Sequence, residues 1–323
     1  MGYGNYSSQA HEAIVQKRAT EPAREVFQQT GCHPLMNPKG LRLRESRDSE
    51  EHPNSLGIVF ALDVTGSMGS IPKAMATKML PKFMKILTDC HVKDPQLLFM
   101  AVGDATSDEA PLQMGQFEST AQLMDQWLTW SYLEGHGGGN GHESYELALY
   151  TLAQHTEMDC WEKRKKKGYV FMTGDELPFP SLSKHVVEGI IGDRLDQDLT
   201  VEEIVAELQK TFVPFFVIPD QKRRANCEER WRELLGDHVL CMNNAQDICY
   251  VSAGAVCLYE GLVPDIDALG RVFKDMGLEY GDLSSVLRAL TPLAEALGRT
   301  GGPAMRGTKA SESVVGRIVQ LFK

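Results

Sequence analysis

Four continuously apolar runs, set between stretches that read as helices, constrain this chain more than any other feature. They are Leu56-Gly-Ile-Val-Phe-Ala-Leu62, Leu97-Leu-Phe-Met-Ala-Val102, Gly168-Tyr-Val-Phe-Met172 and Phe212-Val-Pro-Phe-Phe-Val-Ile218. A strand with one wet face alternates apolar and polar residues; a strand covered on both faces does not. Between the runs, Ile71, Met75, Met79, Leu80, Phe83, Ile86 and Leu87 recur at helical spacing. Residues 121–130, 143–155, 183–191, 201–210, 227–235 and 245–259 also read as helices, and 113–117 and 238–241 as short strands. Strands alternating with helices predict an α/β fold with a doubly wound, mainly parallel sheet.

The flanks differ from this core. Residues 1–53 are polar and mixed, with a helical stretch over 10–29 and a charge-rich segment over 37–54, and read as an N-terminal arm. Residues 54–261 form the α/β domain. Over 262–300 the pattern is helical only: Ile266, Leu269, Val272, Phe273 and Met276, then Leu283, Val286, Leu287, Leu290, Leu293 and Leu297. This second leucine pattern reads as core packing rather than as a partner helix. Residues 301–323 read as a glycine linker and an amphipathic tail, with a short helix over 311–323 that could dock elsewhere.

Composition excludes several classes. Hydrophobic residues at 42% and charged residues at 24% fit an ordinary globular chain and exclude a disordered or collagen-like one. With 33 Lys plus Arg against 44 Asp plus Glu, the net charge of −11 argues against general nucleic-acid binding, which needs a basic surface. The first thirty residues hold no apolar core of signal-peptide length, and no stretch is long enough for a membrane span. A soluble, cytoplasmic protein without membrane or nucleic-acid partners is expected. Seven scattered cysteines without a Cys-x-x-Cys pair indicate neither a disulfide framework nor a zinc ribbon.

The chemistry gathers where strands end. Asp63-Val-Thr-Gly-Ser67 follows the first apolar run and opens a helix. In a doubly wound sheet, ligands bind beyond the carboxyl ends of the strands. A carboxylate and two hydroxyls at positions 63, 65 and 67 can face one point there, and such hard oxygens suit Mg²⁺ or Mn²⁺. Asp175 follows the third run, Asp104 ends the second, and the glycine-rich Gly137-Gly-Gly-Asn-Gly-His-Glu-Ser144 precedes a helix. Four polar or acidic loops on one edge carry more weight than any one of them.

This pattern resembles the von Willebrand factor type A family. The resemblance covers about residues 55–260 and implies a Rossmann-like sheet with a metal-ion-dependent adhesion site. The family builds that site on Asp-x-Ser-x-Ser, with a Thr and an Asp from later loops. Asp63, Thr65 and Ser67 match the first motif, with Thr65 in place of a serine, and Asp175 matches the later Asp. Aligning the helix on Ala148-Leu149 puts Glu143 at the position of the family's Thr, with Asn140 and Ser144 as competitors and Asp104 as a surrounding partner. The implied function is metal-dependent protein–protein interaction, in which a cation held by the chain takes an acidic side chain from a partner. The segment around Asp-Val-Thr-Gly-Ser-Met-Gly looks most like intracellular bacterial members, which implies a MoxR-type AAA+ ATPase as a partner class.

Rival readings fit less well. The motif looks like the Asp-x-Asp-x-Thr of haloacid-dehalogenase phosphohydrolases, but Thr65 stands where that chemistry needs a second carboxyl as acid and base. A metal-dependent phosphohydrolase therefore remains the alternative to a non-enzymatic role. No Gly-x-x-x-x-Gly-Lys phosphate loop or nucleophile elbow is present. Asp63 alone could be a helix cap, Asp175 a turn residue, and Asp104 either a site partner or a loop cap. His136 and His142 are expected to face solvent. Lys163-Arg-Lys-Lys-Lys167 is expected to be a solvated helix end.

Overall fold

The apolar runs become neighbouring strands of one sheet. The computed structural model describes residues 4–66, 68, 70–135 and 139–301. Its central sheet comprises β1 (Leu56–Asp63), β2 (Pro95–Val102), β3 (Leu112–Met114), β4 (Gly168–Thr173), β5 (Phe212–Ile218) and β6 (Val239–Cys241), in the order β6-β5-β4-β1-β2-β3. All neighbours are parallel except the edge strand β3, which runs antiparallel to β2. Every residue of β1 and of β5 is buried, as unbroken apolar sequence requires.

Strand order then places the helices. The connection from β1 to β2 moves toward one edge of the sheet; those from β4 to β5 and from β5 to β6 move toward the other. Because such crossovers are right-handed, their helices fall on opposite faces. The direction reverses between β1 and β4, whose carboxyl ends lie side by side through the Leu62–Thr173 pair. This topological switch point is the crevice in which doubly wound sheets bind ligands. The Rossmann-like α/β sheet expected from the sequence is the one observed.

Several local expectations change. The pattern over 71–87 continues to Asp89 but is not one α-helix: Ser70–Ala74 passes through a π-helical turn, Met75–Met79, into Leu80–Asp89. Leu80 N bonds back five residues to the Met75 carbonyl. Pro81 follows at once, and since it has no N–H to offer the preceding turn, the register loosens there. The helix expected from residue 143 starts at Tyr145; His142–Glu143 instead forms a two-residue parallel ribbon with Leu177–Pro178. The stretch 10–29 splits into Ser8–Arg18 and a single turn, Ala23–Val26, because Pro22 disfavours helix in the residue before it.

The arm lies against the domain. Val26, Phe27 and Met36 are buried. Arg44–Ser46 pairs in parallel with Thr156–Met158. Arg47 bridges Glu45, Glu157, Asp159 and Glu162. The basic run over 163–167 follows the end of the helix Asp159–Glu162, and Lys163 and Lys165 are exposed, as expected, but four of its five side chains are also paired. Lys163 reaches Asp159 at 2.6 Å, Arg164 reaches Asp48 at 2.7 Å, Lys166 reaches Glu260 at 2.5 Å, and Lys167 Nζ donates to the Gln209 carbonyl at 2.6 Å. Asp48 and Glu260 are distant in sequence and do not show in the local pattern.

At the other end, Ile266–Asp275 and Tyr280–Ala296 pack on Ile248–Tyr259. Gly254 permits this: a Cβ there would lie 2.6 Å from Leu290 Cδ1. The end of the helical extension folds back just before the expected linker, with Ile266 N donating to the Arg299 carbonyl at 3.0 Å. The tail helix expected over 311–323 lies outside the described residues. Among the described residues, no helix is long and apolar enough to cross a membrane.

Candidate metal site

Asp63 ends β1 at the switch point and is fully buried. Its Oδ1 accepts from Thr65 N at 2.9 Å and from Thr65 Oγ1 at 2.5 Å. Its Oδ2 accepts from the Tyr145 hydroxyl at 2.6 Å. Burial pushes the Asp63 carboxyl up to about 6 and neighbouring Asp175 adds to this, while the Thr65 and Tyr145 hydrogen bonds pull it back toward the charged form. Ser67, the third member of the motif, lies outside the described residues.

Tyr145 is the residue that sequence reasoning missed. It opens the helix Tyr145–Gln154, is fully buried, and packs edge-on against Phe216 and Trp231 with centroids 5.5 and 5.6 Å away. Gly174 makes room for it, since a Cβ at that position would sit 2.2 Å from the Tyr145 hydroxyl. No motif spacing marks an aromatic hydroxyl for this role.

Asp175 lies two residues beyond the end of β4, is buried, and pairs with Arg223 at 3.0 Å. Arg223 belongs to a short 3-10 turn, Gln221–Arg223, after β5. With Asp175, Asp220, Asn243 and Asn244 it lines a polar cleft of about 280 Å³ that opens this edge to solvent.

Glu143 is buried in its ribbon, and its Oε2 has no hydrogen-bond partner. Burial first, then the charges of Asp63, Glu176, Asp104 and Asp108, push its carboxyl up to about 9. Glu176, next to Asp175, also has an unpartnered Oε2 and is shifted upward by burial and by Asp175.

The remaining candidates hold the loops together. Asp104 accepts from Thr106 N and Oγ1, each at 2.8 Å, and from Asn140 Nδ2 at 3.1 Å. It thus acts both as a loop cap and as the anchor of the glycine-rich loop. Ser144 Oγ accepts from Ala105 N at 2.9 Å, so this hydroxyl ties the helix start to the Asp104 loop. His142 is not simply solvent-facing: it stacks on Phe179 at 5.2 Å. His136 lies outside the described residues.

The structure therefore brings Asp63 and Thr65 into direct contact and couples Asp63 electrostatically to Asp175 and Glu143. Among the described residues, no group of three or more His, Cys, Asp and Glu side chains is by itself placed to hold a metal. A site of mixed carboxylates and hydroxyls does not need one. Its donors are all oxygen, and a buried carboxylate oxygen stands without a partner, which fits a hard divalent cation.

The fold and its polar switch-point edge define a Rossmann-like α/β domain with a candidate cation site. No family model matches the chain, and no curated protein matches it. Among solved structures it is similar to the pilus adhesin SpaC from Lactobacillus rhamnosus GG, with a TM-score of 0.43 and 10% identity over 67% of this chain and 31% of the adhesin. It is also similar to proximal thread matrix protein 1 from the mussel byssus, in a form with a zinc-occupied adhesion motif, at TM-score 0.38 and 12% identity over 70% of this chain and 51% of that one. A von Willebrand factor type A protein from Catenulispora acidiphila matches at TM-score 0.37 and 12% identity over 63% and 42% of the two chains. The chain thus spans about a third of the adhesin's length.

Proposed function

We propose that the chain is a von Willebrand factor type A protein that binds a partner through Mg²⁺ or Mn²⁺ at the β1–β4 edge. Asp63, Thr65 and Asp175 would hold the ion together with Ser67, and Glu143 would ligate it directly or through water. When bound, the ion supplies an open coordination position for an acidic side chain of the partner. The chain's own part is to hold oxygens at that point and to keep Asp63 oriented through Tyr145.

The observation that carries this reading is the unpartnered Glu143 Oε2, buried beside Asp63, Glu176, Asp104 and Asp108. Gathered carboxyls of one sign in a buried place oppose folding unless a cation or protons offset them. The role is binding rather than catalysis, since the second acid of a phosphohydrolase is replaced by Thr65. A MoxR-type AAA+ ATPase is the partner class that the sequence resemblance implies, and the cytoplasm the matching location.

Thermal unfolding tests the reading. Mg²⁺ or Mn²⁺ raises the melting temperature of the wild type by mass action, and Asp63→Ala removes that rise. Equal shifts in both proteins place the ion elsewhere. Metal-dependent turnover of a phosphate ester, lost in Asp63→Ala, overturns the non-enzymatic reading.

A further inference from the structure

Beyond the end of β6, a second cleft of about 120 Å³ lies between the helix Arg224–Leu235 and the helix Tyr280–Ala296. Its walls carry Arg224, Arg232 and Arg288, with Gln221, Asn243 and Ser285 between them. We propose that this cleft is an oxyanion-binding pocket, for a carboxylate or phosphate group, that works without the metal.

Charge supports the assignment. Three guanidiniums converge there in a chain whose net charge is −11. One carboxylate, Glu228, is shared between two of them: Arg224 Nε reaches it at 2.7 Å and Arg232 Nε at 2.8 Å. A second, Asp247, stands behind Ser285, whose hydroxyl donates to it at 3.0 Å. Arg288 is exposed and makes no ion pair among the described residues. None of the lining side chains is acidic: Glu228 and Asp247, with Asp282 near Asp247, stand behind three permanent cations.

Donor geometry supports it as well. A guanidinium presents five N–H donors in a planar fork that matches an oxyanion. Arg224 spends Nε and one further nitrogen on Glu228, so the rest of its fork remains for a ligand. The shared glutamate also fixes two of the three forks before anything binds; Arg232 turns its other nitrogens to the Gly236 carbonyl at 3.4 Å and Cys241 Sγ at 4.0 Å, so Arg224 and Arg288 supply the freer donors. Arg224 and Arg232 are 40% and 32% exposed, open enough to meet a ligand yet held on the wall. The volume admits one carboxylate or phosphate group with water, and no nucleotide.

Asn243 lines both this pocket and the cleft that holds Asp175 and Arg223. A polypeptide carrying acidic or phosphorylated residues can thus meet both clefts. The pocket's own chemistry does not depend on the ion.

The test is calorimetric titration of the full chain, stripped of metal with EDTA and then dialysed free of the chelator, with inorganic phosphate and, separately, with a hexaglutamate peptide. The expected result is saturable binding of at least one probe, weakened about tenfold by Arg288→Glu. Arg288→Gln gives a smaller loss, and Arg223→Gln, in the neighbouring cleft, leaves binding unchanged. The probe that binds tells phosphate from carboxylate. Binding of neither probe, equal affinity in Arg288→Glu, or loss of binding in Arg223→Gln overturns the proposal. The last of these assigns the anion to the cleft beside Asp175. Arg288 is exposed, so unchanged melting temperatures of its variants separate lost binding from lost fold.

Discussion

The Tyr145 hydroxyl donates to Asp63 Oδ2 at 2.6 Å while Thr65 occupies Oδ1, so both oxygens of the fully buried strand-end carboxylate are satisfied by the chain itself. Tyr145→Phe keeps the ring contacts to Phe216 and Trp231 and removes only the donor. A hydrogen bond to a charged group contributes about 1.5–3 kcal/mol, so a loss of that order is expected at neutral pH. In an Asp63→Ala background the same substitution should cost far less. Urea unfolding of the four proteins of this double-mutant cycle measures the coupling, and a coupling near zero means that the bond does not hold the aspartate.

Gly174 lies under that hydroxyl. A methyl there meets the Tyr145 oxygen at 2.2 Å and its Cζ at 2.5 Å, and the tyrosine is packed too tightly to withdraw. Gly174→Ala should therefore destabilise by about 1–3 kcal/mol, as overpacking of a filled core does. Smaller effects are expected at Gly139, where nothing lies within 4 Å of an added Cβ, although its positive φ of 62° adds backbone strain. Chemical denaturation of Gly174→Ala with and without Tyr145→Phe checks the contact: the second substitution removes the clashing oxygen and should restore part of the loss.

The sheet was legible in the sequence because its strands are buried on both faces, which leaves unbroken apolar runs that few other structures produce. Asp63 was legible for the same reason: a carboxylate straight after such a run has one place to be, the carboxyl edge. Glu143 was harder. Its neighbours read as a helix, but the chain pairs His142–Glu143 with Leu177–Pro178 before the helix begins, and no periodicity encodes a two-residue ribbon between distant segments. Tyr145 over Gly174 and Arg223 against Asp175 are likewise contacts between separate connections of the sheet. They depend on how far each loop reaches, which neither composition nor spacing reveals. The basic run over 163–167 was legible as a helix end, but not its ion pairs to Asp48 and Glu260, which come from the arm and from the end of a later helix.

Glu143 sets the charge of the candidate site. Replacing it by threonine gives the residue that the type A pattern calls for and removes one of three carboxyls, the others being Asp63 and Asp175; Glu143, pushed up to about 9 without an ion, would give up its proton on binding one and add its charge then. Fewer negative charges around a divalent ion weaken the ion's own binding and lessen repulsion of an incoming acid. Glu143→Thr should therefore bind Mn²⁺ more weakly and bind an acidic partner at least as well as the wild type. Titration calorimetry with Mn²⁺ on wild type, Glu143→Thr and Asn140→Ala measures this. If Asn140→Ala lowers affinity and Glu143→Thr does not, the third loop contributes through Asn140 instead.

The docked arm should respond to acid through His11. This histidine is buried on the helix Ser8–Arg18, and its Nδ1 lies 2.8 Å from the Tyr6 hydroxyl. Burial first, and then the charge of Arg18, lower its pKa from 6.5 to about 4. The unfolded chain takes up a proton near pH 6.5 and the folded chain does not until about pH 4. Between those values the unfolded state holds more protons, so stability rises with pH across that window and falls on acidification. Above the window the term is fully present; below it no further loss comes from this residue. The shift corresponds to about 3 kcal/mol at most, by 1.36 kcal/mol for each pH unit. Asp125, which pairs with Arg18 and is itself pushed up to about 6 by burial, works in the opposite sense over the same range, so the wild-type curve alone does not isolate the histidine. His11→Asn keeps an acceptor for Tyr6 and cannot titrate. The difference in unfolding free energy between wild type and His11→Asn should shift by up to about 3 kcal/mol in favour of the variant from pH 7 to pH 4. Parallel curves over that interval show that His11 is protonated without cost and that the arm is not closed around it.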